Sequence, residues 1–207
     1  MEITKIEESR KKPGMYNIYA DDEFLCSAHK NIIAELRLKV GMSFEGEDKK
    51  NLLRELQYKK ALDNAFNILG RATKTEAELR KKLREKDICE DVISDVIKRL
   101  LELGYIDDEA YVELWLRGNS GKAGMNRRTI FNKLRLKGLD KELIESKLEE
   151  DPIDEYASAV TVAQKKLRSL KGEARDKKRK LYAYLLGKGF TPDICYKVVN
   201  GLDSEGF

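Results

Sequence analysis

A pattern of apolar positions with one lysine recurs three times along most of the chain, and its spacing is constant. Each copy lies 51 residues after the one before, so that position 79 returns at 130 and 181. Periods of this size are typical of one small supersecondary unit repeated along a chain. Such repeats usually present an extended surface to another macromolecule. The three copies are Leu79, Leu83, Lys86, Ile88, Val92, Ile93 and Ile97; Ile130, Leu134, Lys137, Leu139, Leu143, Ile144 and Leu148; and Leu181, Leu185, Lys188, Phe190, Ile194, Cys195 and Val199.

Helical periodicity within each copy predicts three helices per repeat. Gly104 can end one helix in a left-handed conformation, and Asp107 can cap the next. Gly138 and Gly189 occupy the turn before the third helix, where the first copy has Asp87 instead. The core is expected to contain the recurring apolar residues and Cys195, with Tyr111, Leu114 and Trp115 on the inner face of the second repeat's first helix.

The first 45 residues follow a different pattern. Apolar and polar residues alternate as in strands over 3–8, 15–19 and 24–28, and Pro13-Gly14 suits a type II turn. Phe24, Cys26 and Ala28 are expected to line one face of the third strand. A short amphipathic helix follows, with Ile32, Ile33, Leu36 and Val40 on its apolar side. This unit is too small to be stable unless it packs on the helices.

The predicted fold is therefore mainly α, an elongated array of three three-helix repeats preceded by a small three-stranded antiparallel β-sheet with one helix. The expected divisions are 1–45 for the sheet and helix, 46–104 for a linker helix and repeat one, 105–150 for repeat two and 151–207 for repeat three. Charged residues make up 38% of the chain, against about 25% in an average domain. An elongated helical protein, which exposes more surface per residue, accounts for that excess.

Composition also bounds the location. No apolar run approaches the length of a transmembrane helix, and residues 1–12 lack the apolar segment of a signal peptide. Three widely separated cysteines, Cys26, Cys89 and Cys195, argue against a disulfide framework. These features predict a cytoplasmic protein with no membrane partner.

The sequence contains few residues that could form a catalytic site. His29 is the only histidine and has no candidate partners nearby; it is expected to begin the helix after the sheet. The glycine-rich segment 118–124 places Ala123 after Gly121-Lys122, whereas a phosphate-binding P-loop needs Ser or Thr there. The acidic groups at 107–108 and 149–151 are explained by helix capping and solvation. We predict no catalytic, cofactor-binding or metal-binding residues, and no enzymatic activity.

Charge is unevenly distributed along the chain, and this bears on partners. Between Lys165 and Lys188 there are ten Lys or Arg against two acids, whereas from Asp140 to Glu155 there are eight acids against two lysines. Both stretches could be solvated helix faces or surfaces for a partner. The third helices begin with Glu90-Asp91, Asp140-Lys141-Glu142 and Pro192-Asp193, and the acids among these residues would repel phosphate. They are therefore poor recognition helices for duplex DNA.

The second helices carry a more informative charge pattern. Where copy one has Glu76 and Ala77, copy two has Arg127 and Arg128, and copy three has Lys178 and Arg179. Cations at a helix N-terminus oppose its dipole, so we expect an anion site there and no stability loss on charge reversal. Alternatively, the helix of copy three begins earlier, near Glu173, which weakens the argument for that copy.

Lysines recur at one further place, just before the turn that leads to the third helix. Lys86, Lys137 and Lys188 either complement the end of the helix dipole or form a row along one edge. Two of these lysines and part of the basic stretch belong to the candidate protein-binding and DNA-binding residues. The full set is Arg127, Arg128, Arg135, Lys137, Lys165, Lys166, Arg168, Lys177, Lys178, Arg179, Lys180 and Lys188.

The segment Gly104-Tyr-Ile-Asp-Asp-Glu-Ala-Tyr111, followed by Arg127 to Gly138, resembles the RecX family of bacterial regulatory proteins. The resemblance covers residues 60–202 and is most specific in the second repeat; the segments 16–19 and 23–24 are also similar. Asp87 and the long charged stretch before Lys177 depart from the family pattern.

The resemblance implies a cytoplasmic, non-enzymatic modulator of the RecA recombinase that acts in homologous recombination, DNA repair and the SOS response. It implies binding in the groove of the RecA–single-stranded DNA filament and inhibition of recombinase, ATPase and coprotease activities. The expected partners are the RecA filament and single-stranded DNA, with double-stranded DNA left open, and the chain is expected to be a monomer without a cofactor. The alternative is a general nucleic-acid-binding helical protein that acts without RecA.

Overall fold

The computed structural model of this chain describes residues 1–10, 12–150 and 153–202. Over these ranges it contains three strands followed by ten helices, which confirms the predicted class: mainly helical, with three-helix repeats after an N-terminal sheet and helix. The elements are β1 (Ile3–Glu8), β2 (Met15–Ala20), β3 (Glu23–His29), α1 (Lys30–Glu35), α2 (Gly46–Leu69), α3 (Glu76–Arg84), α4 (Glu90–Glu102), α5 (Asp108–Asn119), α6 (Arg127–Leu136), α7 (Lys141–Glu150), α8 (Glu155–Leu167), α9 (Ala174–Gly187) and α10 (Pro192–Gly201).

The chain forms two compact units. The first comprises residues 1–74 and 78–106, and the second comprises residues 75–77 with the chain from Asp107 onward. The predicted elongation and the predicted domain boundaries stay predictions. Residues 151–152 and 203–207 of the expected third repeat lie outside the described residues.

The N-terminal sheet is antiparallel, with strand order β1-β2-β3. Its apolar face packs Ile3 and Ile18 against Ile32, Leu38 and the α2 residue Leu56, so the sheet gains the support that its size requires. The predicted alternation in β3 is wrong at one position: Phe24 is 58% exposed. The register shifts between Ile18, opposite Cys26, and Tyr19, opposite Phe24; such a bulge turns the following side chain to the other face.

Helix α1 is shorter than the apolar pattern predicts. His29 caps it, as expected, with Nδ1 accepting from the Asn31 amide at 3.4 Å. The helix then ends because Arg37 takes a left-handed conformation, with φ of 52°. Leu38 consequently enters the core, whereas Val40, predicted on the apolar face, is 59% exposed.

The recurring apolar positions form the cores of the repeats, as predicted. The paired leucines and isoleucines of α3, α6 and α9 are fully buried, and so is Cys195; the pairs are Leu79 and Leu83, Ile130 and Leu134, and Leu181 and Leu185. Burial raises the pKa of the Cys195 thiol, since an apolar core disfavours the thiolate.

The predicted inner face of α5 is partly wrong. Val112 and Leu116 are the buried residues of this helix, whereas Leu114 is 56% exposed. Tyr111 and Trp115 are half-buried at the edge of the same core. Val112 and Leu116 lie about one turn apart on the buried side of α5, whereas Leu114 is two residues, or roughly 200°, from each and therefore lies on the opposite side.

The turn before each third helix has a left-handed residue in all three repeats. Gly138 and Gly189 have φ of 80° and 92°, and Asp87 has φ of 56°. At Gly138 a Cβ would lie only 2.2 Å from the Cβ of Ala77. Close approach and positive φ together require glycine there, whereas Asp tolerates the left-handed conformation at Asp87.

The 51-residue period extends to hydrogen bonds within the second unit. Thr75 Oγ1 donates to the Lys137 carbonyl at 2.7 Å, and Asn126 Nδ2, one repeat later, donates to the Lys188 carbonyl at 2.9 Å. The first helical amides also donate to carboxylates, that of Glu76 to Asp108 and that of Arg127 to Glu155, although these two acceptors do not keep the 51-residue period. The start of one second helix is thus tied to the next repeat in the same way twice.

Candidate nucleic-acid interface

The N-terminus of α6 is closed by the protein itself. Asn126 is buried, and its Oδ1 accepts from the Thr129 amide at 2.8 Å. The amide of Arg127 donates to Glu155 Oε1 at 2.6 Å. Two of the amides that a helix start leaves without an intrahelical partner are therefore already bound. The predicted anion site would have needed these groups, so that prediction is wrong for these two amides.

The guanidinium of Arg127 also serves the fold. Its Nη1 donates to the Leu148 carbonyl near the end of α7 at 3.3 Å, and its Nη2 lies 3.5 Å from Glu149 Oε1. An arginine at the end of a helix stabilises the last carbonyls and the dipole. The expectation that its charge needs an explanation outside the fold is therefore wrong. Arg128, by contrast, is exposed and forms no ion pair within the described ranges.

The cations of the third repeat are not at a helix N-terminus. Helix α9 begins at Ala174, with Glu173 as its N-cap, so Lys178 and Arg179 lie in its second turn. The earlier start near Glu173 is the alternative that holds, and the prediction of an N-terminal cation pair here is wrong. Arg179 Nη2 lies 3.4 Å from Asp176 Oδ1 on the same helix.

A groove of about 690 Å³ in the second unit collects four lysines from three elements. Lys133 belongs to α6, Lys165 and Lys166 to the last turn of α8, and Lys188 follows α9. We call it the lysine groove. Among the described residues, the others that line it are Ala123, Gly124, Met125, Thr129, Val162, Ser169 and Tyr184, and none of these is acidic.

Tyr184 organises two of these lysines. Lys166 Nζ lies 5.1 Å and Lys188 Nζ 5.3 Å from the centroid of its ring. Such distances are within the range of cation–π attraction. One ring therefore lies within cation–π range of both ammonium groups, and neither group forms an ion pair within the described residues.

The electrostatics of the groove differ from those of other lysines in the same unit. Within the described residues, none of the four groove lysines forms an ion pair. Lys147, on α7, lies 2.8 Å from Glu113, 3.1 Å from Glu150 and 3.8 Å from Glu109. Hydrogen bonds to Glu113 and Glu150 raise the pKa of Lys147. Charge on Lys147 is neutralised locally, whereas charge in the groove is available to an anion.

The acidic stretch from Asp140 to Glu155 is largely used by the fold. Asp140 accepts from the amides of Glu142 and Leu143, which lowers the pKa of its carboxyl. Asp154 caps α8 by accepting from Ala157. Glu149 and Glu150 pair with Arg127 and Lys147. Asp151 lies outside the described residues. Capping and local pairing thus account for most of this negative charge.

No group of three or more potential metal ligands occurs in the described part of the chain. Over the same ranges, every helix is too short or too polar to cross a membrane.

Family models match three segments of the chain. The N-terminal domain of regulatory protein RecX matches residues 1–45, the first three-helix domain of RecX matches 61–100, and the third matches 153–199. A regulatory protein RecX of Clostridium acetobutylicum is 33% identical over 98% of this chain and 97% of its own length. This chain belongs to the RecX family. These matches lie in both units and include the core of the sheet and the cores of repeats one and three, but not the core of repeat two.

Further RecX relatives match most or nearly all of this chain. A regulatory protein RecX of Clostridium perfringens is 30% identical over 99% of this chain and 98% of its own. A crystal structure of regulatory protein RecX superimposes with a TM-score of 0.69 at 26% identity, covering 96% of this chain and 98% of that one. A crystal structure of RecX from Lactobacillus salivarius superimposes with a TM-score of 0.64 at 32% identity, covering 72% of this chain and 97% of that one.

In this RecX-family fold only some of the predicted site residues lie together. Lys165, Lys166 and Lys188 meet in the groove. Outside it, Arg135 donates to the Leu139 carbonyl, and Lys137 lies over the Tyr111 ring at 5.4 Å. The other predicted cations that do not line the groove are Arg127, Arg128, Arg168, Lys177, Lys178, Arg179 and Lys180.

Sequence reasoning missed Lys133, Tyr184, Thr129 and Ser169 as lining residues. Two signals were present. Lys133 and Tyr184 are one 51-residue period apart and so occupy the same repeat position. Tyr184 and Lys188 are four residues apart, which places them on one helix face.

Proposed function

We propose that this chain is a non-enzymatic regulator that binds the RecA–single-stranded DNA filament and inhibits its recombinase, ATPase and coprotease activities. Membership of a family of regulatory proteins supports this proposal. The observation that carries the DNA part of it is the lysine groove, in which four cations meet without an acid. A partner with regularly spaced negative charges fits that arrangement, and a nucleic-acid backbone is such a partner.

The groove suggests how regulation could operate physically. Lysine ammonium groups at the ends of α6, α8 and α9 contact phosphates of the strand held in the filament. Contacts of this kind fix position without reading sequence. A regulator that acts on any filament, whatever sequence it has assembled on, needs binding of that kind. Another part of the surface then contacts RecA itself.

A direct test measures RecA ATPase activity on single-stranded DNA with increasing amounts of this protein. The unaltered protein should inhibit, and a variant with the four groove lysines changed to Gln should need a higher concentration for half inhibition. A matched variant with Arg168, Lys177, Arg179 and Lys180 changed to Gln loses the same charge outside the groove. It should inhibit nearly as well as the parent. Absence of inhibition by the unaltered protein would contradict the proposal.

A general nucleic-acid-binding protein acting without RecA is the second candidate. The groove favours it, since cations without acids would also bind a bare strand. Binding to single-stranded DNA, to RecA and to the filament across a salt series separates the two candidates. Tighter binding to the filament than to either component supports the regulator, whereas equal affinity for bare and RecA-coated strands supports the alternative.

A further inference from the structure

Lys166 and Lys188 share one aromatic ring, and this arrangement calls for a physical explanation. Two ammonium groups attracted to one ring repel each other, and neither has a carboxylate partner within the described residues. Here the ring of Tyr184 holds both, at 5.1 and 5.3 Å from its centroid. Cation–π attraction steadies each lysine but leaves its full positive charge. The pair is therefore ordered and still able to bind an anion.

The surroundings of the pair fit an oxyanion with several acceptor oxygens. Thr129 and Ser169 line the same groove and carry hydroxyl donors. Lys133 and Lys165 add two further cations at the walls. Val162 and Met125 provide apolar surface against which a sugar can pack. Cations, hydroxyls and apolar surface together suit the binding of a sugar–phosphate chain better than the binding of a bare inorganic ion.

We propose that Tyr184 gathers Lys166 and Lys188 into a paired cation site that binds the phosphodiester backbone of single-stranded DNA. Tyr184 is a positioning residue in this site, and the two lysines are the phosphate contacts. The inference rests on the proposed function only for the choice of strand, because a regulator of the RecA filament meets single-stranded DNA there.

The shape of the groove favours a single strand over the other phosphate sources. At about 690 Å³ the groove is far larger than one phosphate, and its cations come from α6, α8 and the end of α9, so consecutive phosphates can be contacted. Duplex readers instead insert a helix into the major groove. The third helices of this chain begin with acids, such as Asp193 in α10, and so do not offer that mode.

The test uses fluorescence anisotropy of the full chain with a labelled oligothymidine across a salt series. Lys166→Gln/Lys188→Gln should lower the salt slope by about 1.4, from about 0.7 per phosphate contact, and weaken binding about 25-fold at 0.1 M salt. The matched control, Lys177→Gln/Lys180→Gln, removes two charges from α9 outside the groove. It should change the slope by less than half as much.

Tyr184 is tested by a conservative and a disruptive substitution. Tyr184→Phe keeps the ring and should bind within about twofold of the parent, whereas Tyr184→Leu should lose up to about fivefold per lysine and show a smaller salt slope. Circular dichroism of each variant establishes folding. If Tyr184→Leu is unfolded, the lysine pair still decides the matter, because its salt slope reports directly on the two phosphate contacts.

The outcomes separate this inference from the proposed function. An unchanged slope in the lysine pair, an equal loss in the control, a folded Leu variant with the parent slope, or preferential binding of duplex would overturn the inference. If RecA ATPase is nevertheless inhibited by the unaltered protein, the proposed function stands. If the groove variants lose single-stranded DNA as expected while the unaltered protein leaves RecA active, the inference stands and the proposed function fails.

Discussion

The cations at the two ends of α6 differ in whether the fold supplies acceptors for them. At its start, Arg127 donates to the Leu148 carbonyl and lies beside Glu149, and its backbone amide is bound by Glu155. Further along, Lys133 lines a groove in which none of the described lining residues is acidic. Both residues look alike in the sequence, as basic positions on a basic helix. The difference teaches that positive charge is available to a partner only where folding brings no carboxylate or carbonyl to it.

The cause of the difference lies in the elements that pack beside each end. Helix α7 ends next to Arg127, and its last carbonyls and its terminal glutamates provide acceptors. The groove instead meets the last turn of α8, which is basic, and a tyrosine of α9. A helix end with acids neutralises its neighbour, whereas a helix end with lysines adds to the charge.

The largest effect is expected at the residue that joins the two regions. Asn126→Ala should destabilise the second unit by about 2–3 kcal/mol, because it removes a buried N-cap and leaves the Lys188 carbonyl without its side-chain donor. Urea unfolding measures the change. Asn126→Asp keeps the cap acceptor but sets a buried carboxylate oxygen against the Lys188 carbonyl oxygen, so it should be at least as destabilised as Ala. Equal midpoints for all three would show that this junction contributes no stability.

Arg127→Gln should come next, with a loss of about 1–2 kcal/mol, since the side chain is half exposed and its contacts are only partly desolvated. Its affinity for single-stranded DNA should stay close to that of the parent. This reverses the expectation from sequence, which foresaw a binding defect without loss of stability. A variant as stable as the parent but defective in DNA binding would restore the sequence-based interpretation.

The fold followed from the sequence because burial repeats with the helical period. Leu79, Ile130 and Leu181 entered cores wherever the pattern placed them. The failures have local causes that periodicity does not contain. A bulge displaced Phe24, and a left-handed residue at Arg37 ended α1 before Val40.

The site was less predictable because availability of charge depends on contacts between repeats. The stretch from Lys165 to Lys188 was identifiable from composition, and three of its lysines do line the groove. Nothing in the linear sequence pairs Glu155 with Arg127, or brings Lys133 beside α8. Those contacts arise only when the repeats pack.

Lys133→Gln sharpens the comparison at the other end of α6. Stability should change by less than about 0.5 kcal/mol, because the side chain is exposed and its loss removes no ion pair within the described residues. The salt slope for single-stranded DNA should fall by about 0.7. Lys180→Gln, a single charge outside the groove on α9, is the matched control. Equal slopes for the two variants would show that the groove has no special role.

Arg128→Gln should have the smallest effect. Its Cδ would lie 3.6 Å from a Cβ at Gly189, next to Lys188, but the residue does not line the groove. Thermal unfolding should be unchanged, and the salt slope should fall by less than for Lys133→Gln. A larger fall at Arg128 would move the interface toward the start of α6.

The central claim is that the groove lysines, and not the lysines elsewhere on α9, meet the nucleic acid. Amine acetylation followed by mass spectrometry tests it on the unaltered protein, with and without single-stranded DNA and with the RecA filament. Both partners should protect Lys133, Lys165, Lys166 and Lys188, while Lys177 and Lys180 stay reactive. Protection confined to Lys177 and Lys180, with the groove lysines as reactive as in the unbound protein, would contradict it.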